Sequence, residues 1–391
     1  MQKHWVWLAT RSGIGVRGRA ELLRRFGTAE RIYAMDRAAL QAEEGLRQSW
    51  LEPLLDKSLD GAERILAQCD RFDIRLLTYA EPAYPERLRN IADPPALLYY
   101  QGRLPDFDHE AAIAVVGSRR CSAYGLLHAK QFSRLIAASG GLVMSGGARG
   151  IDTMALQSAM DLPEPVVCVL ACGLDIAYPP ENGQLFAQIA SRGCLLSEYP
   201  PGTSPMRGNF PVRNRILSGL SVGVLVVEAS AQSGALITAG TALEQGRDVF
   251  AVPGPIDAPA SVGCNRLVRD GAGLVTDASD ILREYEGRFT LDLKEAREEP
   301  ETLGYQARTV PEPKPVAPAL SLSRGDVELT DDQIAILKAL SDTEPMQVDD
   351  LTELVDIPTR RVLSALTVLE IDQYVVQHAG KHYTRAVTLT E

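Results

Sequence analysis

Four short segments of this 391-residue chain set arginine or small residues beside glycine. Gly117-Ser118-Arg119 closes the apolar run that starts at Ala112. Ser145-Gly146 leads to Arg149, with Ile151-Asp152 directly after. The stretch from Gly202 to Arg215 carries Arg207, Phe210, Arg213, Asn214 and Arg215. Ser233-Gly234 opens a run of small residues that continues to Glu244. Glycine lets backbone amides come close to an anion, and amides at a helix start hold phosphate. Arginine adds a planar, permanently charged fork that matches phosphate geometry. Phe210 among three arginines supplies a ring for a base beside cations for a backbone, which is what a single strand of nucleic acid needs. Each segment also has a plainer reading. Asp152 can cap a helix. Phe210 can be core, with the arginines in structural ion pairs. The small residues can serve close helix–sheet packing.

The catalytic patterns are missing. There is no Ser-His-Asp or Cys-His arrangement, no HExxH and no Walker A loop, and the Gly117 segment is not GxGxxG. Asp152, Glu198, Glu228 and Glu244 would form an acid–base set only if the fold brought them together. The six cysteines are scattered without a Cys-x-x-Cys pair, and the five histidines do not cluster with them. These observations predict no catalytic residue, no metal and no cofactor.

Apolar strands alternate with helical stretches from 111 to 286: Ile113–Val116, Leu142–Ser145, Val166–Leu170, Cys194–Ser197, Val222–Val227, Val249–Val252 and Leu274–Thr276. Such alternation requires parallel strands joined by crossover helices, an α/β doubly wound sheet. Ligands of such sheets sit outside the carboxyl ends of the strands, where the glycine–arginine segments fall. Residues 1–73 read as a small helical domain. Its Gly13-Ile14-Gly15 turn suits either a helix-hairpin-helix that holds DNA phosphate or simple packing. Residues 74–287 make the sheet-containing core, with a turn-rich, strand-containing lead-in. Residues 288–327 are charged and then proline-rich, as in a linker. Residues 328–391 show three amphipathic segments followed by two short strands, the order of a winged helix.

The net charge of −11 argues against a generic nucleic-acid binder, but its distribution matters more. From 111 to 282 there are 12 Lys+Arg, 11 of them Arg, against 13 Asp+Glu; from 328 to 391 there are 5 against 12. The acidity of the last segment favours contact with protein over reading of DNA. No apolar run is long enough to span a membrane, and the first residues lack a secretory signal, so a cytoplasmic, reduced protein is expected.

The ordered motifs resemble the DNA-processing protein A (DprA/Smf) family. They include Tyr84-Pro85, Val116-Gly-Ser-Arg119 with Tyr124-Gly125, Ser145-Gly146 with Gly150-Ile-Asp152, Tyr178-Pro-Pro-Glu-Asn182, Ser197-Glu-Tyr-Pro-Pro-Gly202 and Phe210-Pro-Val-Arg-Asn-Arg215. They continue with Ser233-Gly-Ala-Leu-Ile-Thr238, Glu244-Gln-Gly-Arg-Asp248 and Gly263-Cys-Asn265. The resemblance implies an extended Rossmann-like core, flanked by a helix-hairpin-helix or SAM-like domain and a winged helix. It implies a non-enzymatic homodimer that binds and protects single-stranded DNA and loads the RecA recombinase in natural transformation and homologous recombination. The DNA/phosphate site would comprise Gly117, Ser118, Arg119, Ser145, Gly146, Arg149, Phe210, Arg213, Asn214, Arg215, Ser233 and Gly234. One departure is Leu156, where relatives often carry histidine. The alternative is an enzyme like the Rossmann-fold nucleotide phosphoribohydrolases, whose glycine loop is faintly echoed at Gly234–Glu244.

Overall fold

A computed structural model describes residues 2–294, 329–342, 345–372, 374–378 and 381–387. The chain divides into two compact units, one within Met1–Glu299 and one within Pro300–Glu391.

The first unit is built on a nine-stranded sheet. Its strands are β1 (Arg75–Thr78), β2 (Leu97–Gly102), β3 (Ala112–Val116), β4 (Leu142–Ser145), β5 (Val166–Leu170), β6 (Cys194–Ser197), β7 (Gly223–Val226), β8 (Asp248–Ala251) and β9 (Gly273–Leu274). The order across the sheet is β1-β2-β6-β5-β4-β3-β7-β8-β9. From β6 to β9 every pairing is parallel, while β1 and β2 form an antiparallel edge. The turn-rich lead-in thus extends the sheet instead of merely preceding it.

Side chains along each parallel strand alternate between two cores. Ile113, Val115, Val143 and Leu225 face one core, which the helices Ala123–Ala138, Ile151–Met160 and Gly183–Arg192 help to build. Ala112, Ala114, Val116, Met144 and Val226 face the other, under the helices Asn209–Leu220 and Gly234–Glu244. The N-terminal helices belong to the first core: Trp5, Trp7 and Trp50 bury with Leu97 and Tyr99 of β2. In the Gly13-Ile14-Gly15 turn, Ile14 is 1% exposed, so the turn inserts an anchor into this core.

The chain lays down β3 to β6 outward in one direction and then returns to put β7 beside β3. That reversal is the topological switch point, where open α/β sheets leave a crevice beyond the strand ends.

The second unit has helices Asp331–Ala339, Val348–Val355 and Thr359–Ile371 around their own core. Strand β10 (Met346–Gln347) pairs with β12 (His382–Arg385), which also pairs with β11 (Val375–His378). This is a winged helix with one more strand than the sequence signalled. The linker reading of 288–327 lies, from residue 295 onward, outside the described residues.

Candidate nucleic-acid interface

A cleft of about 610 Å³ opens at the β3/β7 switch point. One wall is the loop after β3, with Gly117, Ser118, Arg119 and Arg120. The opposite wall comes from the segment after β7: Ser230, Ser233, Gly234 and Thr238. The helix Asn209–Leu220 adds Phe210, Pro211, Arg213, Asn214 and Leu217. Positions 210, 213, 214 and 217 follow the spacing that puts residues on one helix face.

Arg119 is exposed and has no ion-pair partner among the described residues. Its guanidinium carbon lies 4.8 Å from the centre of the Phe210 ring. Phe210 is half-buried and belongs to none of the hydrophobic cores. A cation over a half-exposed ring is the pairing that single-strand binding uses. The Tyr178 ring stands 6.0 Å from Phe210, and both line a small side pocket with Arg149 and Gly146.

Arg213 reaches the cleft but is only 4% exposed. Its Nη1 donates to the Val169 carbonyl and its Nε to Asn214 Oδ1 at 3.2 Å. Asp152, also buried, is the acid whose charge acts on it most. Burial pushes the Asp152 carboxyl up, although Arg213 pulls the other way. Arg213 is therefore a structural cation at the cleft wall, largely committed to the protein, and not a free phosphate clamp. Its guanidinium lies where a Cβ at position 146 would sit, so Gly146 serves this close approach.

Three expected contacts need correction. Arg215 does not line the cleft. It lies about 200° around the helix from Arg213, as two residues at 3.6 per turn dictate. There its Nη2 donates to Glu198 Oε2 at 2.6 Å, with Asp93 at 3.7 Å from Nε, all but screened from solvent. Ser145 is fully buried, and its Oγ donates to the Val115 carbonyl at 2.7 Å, stitching β4 to β3. Arg149 is exposed, but Nε and Nη2 both donate to Glu181, the latter at 3.1 Å. Those bonds hold the Glu181 carboxyl below the usual range and push the guanidinium up.

The first loop also departs from expectation. The start of the helix Ala123–Ala138 is not open to a ligand. The Ser122 Oγ accepts from Gly125 N at 3.1 Å, and the carboxylate of Glu228 lies against the same turn. The helix start at Ser233-Gly234 differs: Ser233 caps it through Ala235 N at 3.3 Å, and no atom comes within 4 Å of a Cβ at Gly234.

The four carboxylates do not meet as an acid–base set. Glu198 pairs with Arg215, Glu228 with Ser122, Asp152 lies with Arg213, and Glu244 is exposed. Leu156 is fully buried. Among the described residues no group of His, Cys, Asp and Glu is placed to hold a metal, and no helix is long and apolar enough to cross a membrane. Reading from sequence missed the Glu181 partner and the contribution of Pro259 and Ala260 to the cleft. Nothing in their local pattern signals either.

Residues 75–286 match the model for DNA recombination-mediator protein A, and residues 312–381 match the DprA winged helix domain. The chain is 33% identical to Protein Smf of Synechocystis sp., over 98% of both chains. It is 44% identical to DNA processing protein DprA of Streptococcus pneumoniae, over 53% of this chain and 72% of that one. The solved X-ray structure of the Streptococcus pneumoniae protein superposes with a TM-score of 0.65 at 33% identity, covering 73% of this chain and 99% of that one. A solved Helicobacter pylori DNA processing protein A, described for its single-stranded DNA binding mode, gives a TM-score of 0.51 at 29% identity, covering 55% and 97%.

Proposed function

The chain belongs to the DNA recombination-mediator protein A family, and on that premise we propose that its switch-point cleft binds single-stranded DNA without chemical turnover. The observation that carries this reading is the Arg119–Phe210 pair: a guanidinium without an ion-pair partner among the described residues, set over a half-exposed ring at the mouth of a 610 Å³ cleft. Arg119 and Arg120 take backbone phosphate, and Phe210 takes a base. Gly117, Ser118, Ser233 and Gly234 let the backbone come close, and Asn214 offers its amide from the same wall. Arg213 lends positive charge from within. Arg149 joins once it leaves Glu181.

The wider role follows the family. The chain acts as a cytoplasmic homodimer that protects incoming strands and hands them to the RecA recombinase in transformation and recombination. The Helicobacter pylori relative's single-stranded DNA binding supports the first part of this role. A gel shift with labelled single-stranded and duplex oligonucleotides of one sequence tests the core claim. Preference for the single strand, weakening steeply with salt, is expected. Equal binding of duplex would overturn it, and release of adenine from AMP would favour a phosphoribohydrolase instead.

A further inference from the structure

We propose that Glu228 is the positioning residue for Arg119, because it fastens both ends of the loop that carries that arginine. The proposal rests on the strand-binding role of Arg119 given above. Glu228 is two residues beyond the end of β7 and only 2% exposed. Its backbone carbonyl accepts from Ser118 N at 2.8 Å. Its carboxylate accepts from Ser122 N, at 3.1 Å to Oε1 and 3.2 Å to Oε2, and from the Ser122 hydroxyl through Oε2. Residues 119–121 thus run between two anchors on a single residue.

The carboxylate is held in turn. It lies against the first turn of the helix Ala123–Ala138, where aligned backbone amides favour negative charge. A Cβ at Gly125 would come within 2.6 Å of Oε2, and a Cβ at Gly117 within 2.9 Å of the Glu228 carbonyl. Gly125 makes room for the carboxylate, and Gly117 for the Glu228 carbonyl together with the Ile151 side chain. In open sheets of this kind, the helix start after the first strand of the switch point is where a ligand's phosphate sits. Here the chain supplies the anion itself.

Arg119 depends on that loop for its place. It has no ion-pair partner among the described residues, and its neighbour is the Phe210 ring. Glu228 does not line the cleft, so it acts through the loop and not on the strand. Without the carboxylate, the Ser122 end is released, and Arg119 must be ordered at the moment of binding, which costs affinity.

A double-mutant cycle in the full chain tests this, with a labelled thymidine oligonucleotide as probe. Glu228→Gln keeps the size and removes the charge. Alone it should weaken binding about tenfold, within the range for coupled neighbours, and it should add nothing in the Arg119→Ala background. Ser122→Ala removes the hydroxyl from the other side of the contact and should show the same non-additivity, which covers failure of Glu228→Gln to fold. An equal loss in both backgrounds, or no loss in either, would overturn the positioning role while leaving strand binding intact. Unchanged binding by folded Arg119→Ala would defeat the role of Arg119 itself and take this proposal with it.

Discussion

Arg119 and Arg149 line the same side pocket, yet only Arg149 is held by a carboxylate. That difference orders the expected effects of substitution. Arg119→Ala should weaken all single-stranded sequences alike and flatten the slope of log affinity against log salt by about 0.7, as loss of one phosphate contact requires. Titration at several salt concentrations measures both. Glu181→Gln should have the opposite effect, since it frees Arg149. Binding should tighten a few-fold, and the slope should steepen by about 0.7. Acidification does not imitate this change. A carboxylate held below its usual range keeps its ion pair above that range and loses it only as pH falls through the lowered value. Affinity should therefore show no step from Glu181 between about pH 8 and pH 6. Phe210→Ala should cost about 1–3 kcal/mol in binding, read from strand affinity beside thermal unfolding. A large fall in unfolding temperature with normal affinity would make the ring core. At this scale the sequence showed which residue types could contact a strand. Glu181 is 32 residues from Arg149, so no local pattern could pair them.

The helix Asn209–Leu220 shows what a single element decides. Arg213 and Arg215 look equivalent in sequence, but the helical repeat turns them to opposite sides. Arg213 meets the cleft, and Arg215 meets Glu198, whose charge also acts on Arg19 of the helix Val16–Phe26. Arg215→Ala should therefore show up in folding. Removing one partner strands a buried charge, and a loss of roughly 3 kcal/mol in unfolding free energy is expected, at the low end because Arg19 remains near Glu198. The salt slope of strand binding should not move, and a flatter slope would return Arg215 to the interface. The parallel strands were legible because buried strands read as continuous apolar runs between glycine turns. Strand β1 and the four-residue helix Glu86–Arg89 were not, being too short for a period to emerge.

Across the whole molecule, the charge is divided as the sequence indicates, with the acidic excess in the winged helix. The third helix of that unit turns Leu363, Val368 and Ile371 outward, and Arg361 is paired with Asp332 through two 2.8 Å bonds. Such a face offers little to a phosphate backbone and suits contact with protein. A chain ending at Ser323, within the stretch outside the described residues, should bind single strands as tightly as the full chain, or slightly tighter at low salt. A folded truncation that lost most of its affinity would make the winged helix a DNA reader. The winged helix near the end of the chain was legible from its pattern of amphipathic segments and short strands. The packing of Trp5, Trp7 and Trp50 into the same core as β2 was not, because only tertiary contact shows which helices share a core with a sheet.

The carboxylate lodged beside Ser122 has a consequence for life in a crowded cell. A sheet of this kind with a vacant phosphate seat offers that seat to any small anion. Glu228 is tethered to its seat, so it meets a diffusible competitor at a high effective concentration. A small diffusible anion finds that place taken, and the rest of the cleft stays open.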